Sequence, residues 1–150
     1  MATMTKNIAR LVNDLIARDY DAVQACIAAV DMVRDAGDRQ RLEQLAAAHR
    51  RHIDELTAIV RLYGLRPAEH ADVRALAESG RVLLGGIFSD RALLDALRVN
   101  ERETEAAYGE AVAHEGVPQD VRMALMRILR EESLHHTWLV RRVDQLASEG

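Results

Sequence analysis

The sequence predicts an all-α protein that folds as an antiparallel four-helix bundle with one long connection. Aromatic residues make up only 3 % of the chain and hydrophobic residues 49 %, so the core must consist of Leu, Val, Ile, Met and Ala. Apolar residues recur at helical spacing in four long stretches, and the only two prolines, Pro67 and Pro118, stand where that spacing breaks. A chain of 150 residues is expected to form a single domain over residues 1–150.

The first two predicted helices form a hairpin. The first covers about residues 6–33, and a tight turn is expected at residues 35–38 because Asp and Gly cluster there. The second helix covers about residues 39–63. Gly64 follows it as an expected C-cap residue, and Pro67 comes soon after.

The third and fourth predicted helices form a second hairpin. The third covers about residues 90–114, with Asp90 as its expected N-cap, and the fourth about residues 119–147. A longer connection of residues 65–89 separates the hairpins, and residues 68–84 within it could form a short helix. Two short turns and one long connection indicate a bundle with a single crossover.

Ionisable residues interrupt the apolar stripe of every predicted helix. When the core positions are followed at heptad spacing, two of them are ionisable on the second helix, two on the fourth, and one on each of the first and third. The six residues are Asp19, His49, His52, Glu101, Glu132 and His135.

The six residues are expected to lie at one height in the bundle. All of them are 12 to 18 residues from the turns near Gly37 and Val117. At about 1.5 Å per helical residue they spread over roughly 9 Å. A buried ionisable group on its own is costly, so such groups pair, neutralise or bind metal. Three carboxylates and three imidazoles converging from four helices predict a site for one or two transition-metal ions, with Fe, Mn, Zn and Cu compatible.

Several alternatives remain open for these positions. Glu132 and His135 could form a hydrogen-bonded pair without metal. Asp21 competes with Asp19, and Glu105, one turn on, competes with Glu101. Glu55 competes with His49, because His52 and Glu55 are also three residues apart. Tyr20 and Tyr108 could hydrogen-bond to a ligand or simply pack in the core, and Cys26 is expected to be a small core residue.

At these positions the chain resembles the ferritin-like superfamily of di-iron carboxylate bundles, which includes rubrerythrin-like proteins. The pattern of that superfamily is a Glu from each of two helices and a Glu-x-x-His from each of the other two. Glu132 and His135 match one Glu-x-x-His, and Glu101 matches one single Glu. The chain as a whole is also similar to a bacterial group of ferritin-like domains whose members need not hold metal.

The first two helices depart from this pattern. His49 and His52 stand where a Glu-x-x-His is expected, and Asp19 takes the place of a Glu. The resemblance implies a ferritin-like fold, a bound transition metal with iron as the expected ion and Mn or Zn as alternatives, and a redox or iron-handling role. The competing hypothesis is a non-enzymatic bundle that works by association, with a metal-free polar layer setting the helix register.

Composition excludes several other classes of function. A net charge of −4 offers no electrostatic footprint for nucleic acid. The chain has neither an apolar run of about 20 residues to span a membrane nor a signal-peptide core. The single cysteine, Cys26, fits a reducing compartment, so a cytoplasmic protein is expected. Base rates of symmetric assembly make a homodimer the expected oligomer.

Overall fold

The computed structural model describes residues 4–69 and 86–149. Four helices make up most of these residues: α1 (Lys6–Met32), α2 (Ala36–Leu62), α3 (Asp90–Ala113) and α4 (Gln119–Glu149). The predicted all-α four-helix bundle is confirmed. None of the described helices combines the length and the apolarity needed to cross a membrane. The short helix predicted over residues 68–84 falls almost entirely outside the described residues.

Each helix runs antiparallel to both of its neighbours. The carboxylate of Asp90, at the start of α3, accepts hydrogen bonds at 3.0 Å from the backbone N–H groups of Arg34 and the residue after it, just beyond the end of α1. The hydroxyl of Tyr63, at the end of α2, donates to the carboxylate of Asp120 at the start of α4. The end of α2 and the start of α3 therefore lie at opposite ends of the bundle.

Side chains cap the starts of the first three helices. Thr5, Asp35 and Ser89 each accept a hydrogen bond from the backbone N–H group three residues later. Two predictions at these ends are wrong. Residues 35–38 do not form the turn, because Asp35 caps α2 and the helix begins at the next residue. Ser89 rather than Asp90 caps α3, which leaves the Asp90 carboxylate to bind the turn between α1 and α2.

The end of α2 shows why a glycine follows it. Gly64 has a φ of 75°, a left-handed conformation that favours glycine. Its N–H donates to the carbonyl of Arg61, and the N–H of Leu65 donates to the carbonyl of Val60, which is the hydrogen-bond pattern of a Schellman motif. The predicted C-cap glycine is confirmed. The other predicted ends are within one or two residues, since α1 and α3 end one residue early and α4 continues to Glu149.

Two apolar clusters fill the bundle, one towards each end. The first includes Leu15, Val60 and Leu125, and the second includes Leu42 and Leu139. Full burial of each such side chain contributes about 1.5–3 kcal/mol to the free energy of unfolding. The clusters stabilise the bundle on both sides of its middle, where the helices carry polar residues instead.

Candidate metal centre

The six ionisable residues that interrupt the apolar stripes meet between the two apolar clusters. None of the six residues is more than 9 % exposed. Only three other polar residues in the described part of the chain are comparably buried: Gln24, Asp38 and Thr104. The polar cluster, as we call the six, consists of Asp19, His49, His52, Glu101, Glu132 and His135. The structure therefore brings together all the residues that the sequence pattern selected.

His49 lies at the centre of the polar cluster. Its Nδ1 is 2.7 Å from Oδ1 of Asp19 on α1, and its Nε2 is 2.6 Å from Oε1 of Glu101 on α3. An ionised carboxylate can accept hydrogen bonds but cannot donate them. Both ring nitrogens of His49 must therefore donate, which is possible only if the ring is protonated. In the absence of metal, His49 is therefore an imidazolium held between two carboxylates.

Glu132 connects the histidines of the polar cluster. Its Oε1 is 2.9 Å from Nδ1 of His52 and 3.3 Å from Nδ1 of His49. Its Oε2 is 3.7 Å from Nδ1 of His135, one turn further along α4. One carboxylate thus offers its two oxygens to imidazoles on two sides, because the i, i+3 spacing of Glu132 and His135 places both side chains on the inner face of α4.

The polar cluster contains two overlapping sets of four donors. In each set the donor atoms all lie within 4.8 Å of one another, and both sets share His49 and Glu132. One set adds Asp19 and His52; the other adds Glu101 and His135. Donors around a tetrahedral metal ion bound at about 2.1 Å lie roughly 3.4 Å apart. The spacing of the imidazole nitrogens and carboxylate oxygens therefore fits a transition-metal ion.

Buried polar atoms without hydrogen-bond partners are concentrated in the polar cluster. Six such side-chain atoms occur among the described residues, and five of them belong to it: Nδ1 of His52, Oε2 of Glu101, both carboxylate oxygens of Glu132, and Nδ1 of His135. Nδ1 of His52 is close to Glu132, but the angles are not those of a hydrogen bond. Since buried polar groups are nearly always hydrogen-bonded, these atoms remain available as metal ligands.

The charges within the polar cluster stabilise one another. Burial alone would lower the pKa of each histidine, but the surrounding carboxylates reverse the effect. The pKa of His49 lies well above its ordinary value, that of His52 is raised to about 10, and that of His135 is also raised. Burial would raise the pKa of Glu132, but its contacts with the three histidines lower it. Without metal, the carboxylates therefore favour the protonated forms of the three histidines, and the histidines favour the ionised form of Glu132.

Two residues contact the polar cluster from outside. The buried Tyr108 donates its hydroxyl hydrogen to Oδ2 of Asp19, and burial followed by the charge of Asp19 raises the pKa of Tyr108. Nε2 of His52 lies 2.5 Å from Oε2 of Glu131. Glu131 is 41 % exposed and was not predicted from the sequence, because it lies off the apolar stripe of α4. Cys26 is a buried core residue as expected, and burial raises its pKa to about 12.

The competing residues lie outside the polar cluster. Asp21 is exposed, and Glu55 pairs with Arg127. Glu105 accepts hydrogen bonds from Ser133 and His136, the second at 2.9 Å. Burial therefore favours the six residues of the polar cluster over these three competitors.

Comparison with known proteins identifies the family but no function. Residues 7–114 match the model of a family described as a domain of unknown function, DUF2383. No curated protein and no solved structure matches the chain. The matched residues include α1, α2 and α3, and they end before α4, which carries Glu132 and His135. Because the match covers well over half of the sequence, the chain belongs to the DUF2383 family.

Proposed function

We propose that this chain is a ferritin-like metal-binding protein whose polar cluster holds one or two transition-metal ions. The observation that carries the proposal is the set of five buried donor atoms without hydrogen-bond partners. A purely structural network would be expected to satisfy such atoms, since each unsatisfied buried polar group costs about 1–3 kcal/mol. Metal coordination would satisfy them together.

The charge of the polar cluster supports this proposal. Three carboxylates and three protonated imidazoles carry no net charge. One divalent ion that displaces two of the histidine protons leaves the total at zero, because metal ligands must be deprotonated. Two divalent ions with three neutral imidazoles would leave one positive charge, which Glu131 beside His52 is placed to balance. Metal binding therefore requires no uncompensated buried charge, which would be costly.

The shared residues suggest how two ions would divide the donors. Asp19 and His52 belong to one set, and Glu101 and His135 to the other. Glu132 has one oxygen on the side of His52 and the other on the side of His135, so it would be able to serve as a ligand in either set. Single occupancy of either set remains compatible with the same residues.

The donor types support a first-row transition metal. Three imidazoles and three carboxylates suit Fe, Mn or Zn, and the resemblance to ferritin-like proteins favours iron. A bound ion would supply redox chemistry or Lewis acidity at the centre. The chain supplies a water-poor environment, and Tyr108 orients Asp19 by a hydrogen bond. We propose iron handling or iron-dependent redox chemistry as the corresponding role.

A second candidate function rests on the contacts of His49. Both of its ring nitrogens pair with carboxylates on two other helices. A metal-free network of this kind could set the helix register of a bundle that works by association. Metal content separates the two candidates.

Elemental analysis of protein purified without chelator tests the proposal. The wild type, supplied with Fe(II), Mn(II) or Zn(II) and then desalted, should retain at least one ion per chain. The Glu132→Ala/His135→Ala variant should lose it. Glu105→Ala/His136→Ala is the matched control, because it removes a Glu and a His from α3 and α4 that pair outside the polar cluster. A folded wild type that retains no metal would favour the metal-free network.

A further inference from the structure

A groove between α2 and α4 reaches the polar cluster from the surface. Its cavity has a volume of about 220 Å³, and His135 is the one residue of the polar cluster among its walls. His135 is also the most exposed of the six, at 9 %. α2 and α4 are the least closely packed of the neighbouring helix pairs, and the small side chain of Ala48 lines the gap. The groove is therefore an approach from solvent to one side of the proposed metal centre.

Two arginines without acidic partners line this groove. The guanidinium carbon of Arg41 lies 5.5 Å from the ring centroid of Trp138, and Nε of Arg41 is buried with no hydrogen-bond partner among the described residues. Arg51 is exposed and forms no ion pair within residues 4–69 and 86–149. Glu131, the acidic wall residue, already contacts His52. The groove thus carries unneutralised positive charge on a chain whose net charge is −4.

A second groove shows that this charge is particular to the α2–α4 side. The other groove lies between α1 and α2 and has nearly the same volume, about 210 Å³. Its walls include Arg50, but also Asp31 and Glu43. Arg50 and Arg51 are neighbours on α2, but Arg51 faces a groove with an excess of positive charge and Arg50 a groove with an excess of negative charge.

We propose that the α2–α4 groove binds a small oxyanion through Arg41 and Arg51. A guanidinium presents paired N–H donors that match two oxygens of a phosphate or a carboxylate. Drug-sized ligand pockets measure about 300–1,000 Å³. The smaller groove suits an anion of the size of inorganic phosphate or acetate. This inference deepens the proposed function, because an anion held there lies beside His135. Binding by the two arginines does not itself require a metal.

Isothermal titration of the metal-free protein with inorganic phosphate, and separately with acetate, tests the proposal at constant ionic strength. Wild-type protein should bind at least one of the two anions saturably, and the tighter one identifies the preferred shape. Arg41→Gln and Arg51→Gln should each weaken binding by about tenfold or more, as expected for loss of a charged hydrogen bond. Gln44→Glu should also weaken it, because it places a negative charge on an exposed wall residue and leaves both arginines intact.

Arg50→Gln is the matched control. It makes the same charge change on the same helix but faces the other groove, so it should leave the affinity unchanged. Arg51 and Gln44 are exposed, so their variants retain the fold even if Arg41→Gln does not. No saturable binding by the wild type, or an equal loss in Arg50→Gln, would overturn the proposal. Since the titration uses metal-free protein, its failure leaves the metal-binding proposal standing, and failure to bind metal leaves the anion site standing.

Discussion

Nε2 of His49 lies 2.6 Å from Oε1 of Glu101, which joins the middle of α2 to the middle of α3 across the diagonal of the bundle. The same ring contacts Asp19 on α1 through Nδ1. α2 and α3 each pack mainly against α1 and α4, so this polar contact links two helices that are not neighbours. The buried ring therefore both organises the bundle and occupies the centre of the proposed metal site.

Removal of the Glu101 carboxylate should destabilise the metal-free protein strongly. Glu101→Ala leaves the His49 imidazolium with an unpaired nitrogen in the core, and breaking a buried ion pair in this way costs about 3–5 kcal/mol. Glu105→Ala removes a half-buried partner of His136 one turn away and should cost under about 1 kcal/mol. Urea denaturation with chelator present measures both, and equal losses would contradict the central role of the pair.

The stability of the metal-free protein should fall as the solution becomes alkaline. The pKa of His52 is raised to about 10 in the folded chain, against an ordinary value of 6.5. Because the pKa of His52 is raised on folding, its protonated ring contributes its full stabilisation of the folded state below pH 6.5. This contribution is lost as the pH rises through about 10. Melting temperatures from pH 6 to 10, measured with chelator, should decline more steeply for the wild type than for His52→Gln. Parallel declines would show that His52 is not protonated among the carboxylates.

Metal binding should release protons near neutral pH. The carboxylates of the polar cluster raise the pKa of its histidines and so favour their protonated forms without metal, and an imidazole must lose its proton before it can bind. Charge balance predicts about two protons released for the first divalent ion. Calorimetric titrations in buffers of different ionisation enthalpy count these protons. His136→Gln is the control, since His136 pairs with Glu105 outside the polar cluster. Heats that do not depend on the buffer would contradict the protonated cluster.

Tyr108→Phe should weaken metal binding without unfolding the protein. The variant keeps the buried ring and removes the hydroxyl that donates to Asp19, so the carboxylate loses its orienting partner. Loss of such a partner lowers metal affinity by about 10–100-fold. Tyr63→Phe is the control, because its hydroxyl bonds to Asp120 at the exposed end of the bundle. A competition assay with a metal indicator dye compares the two, and equal affinities would make Tyr108 a packing residue only.

The sequence was sufficient to predict the helices and the polar cluster, because both depend on periodicity. An ionisable residue at a stripe position must be buried when the helix packs, and the short turns set the heights of the helices within each hairpin. His49 and His52 were therefore identifiable without a structure, although they depart from the pattern of the family that the chain resembles. By periodicity, Glu105 and Asp21 were alternatives to Glu101 and Asp19 for the buried positions. Only the packing of the helices in the structure places Glu105 and Asp21 outside the polar cluster.

Other features depend on local competition or on the spacing between helices. At the start of α3, Ser89 and Asp90 are both good N-cap residues, so the sequence alone does not decide between them. Glu131 reaches His52 from an exposed position, and no periodic signal marks it. The groove beside Arg41 depends on how closely α2 and α4 approach, which neither helix encodes by itself.

The most direct test of the proposed metal centre is a crystal structure of metal-loaded protein with anomalous diffraction measured on both sides of the absorption edge of the supplied metal. We expect one or two anomalous peaks among His49, Glu132 and the other four residues of the polar cluster. Crystals of the folded protein that show no peak there, and hydrogen bonds that satisfy the donor atoms instead, would contradict it.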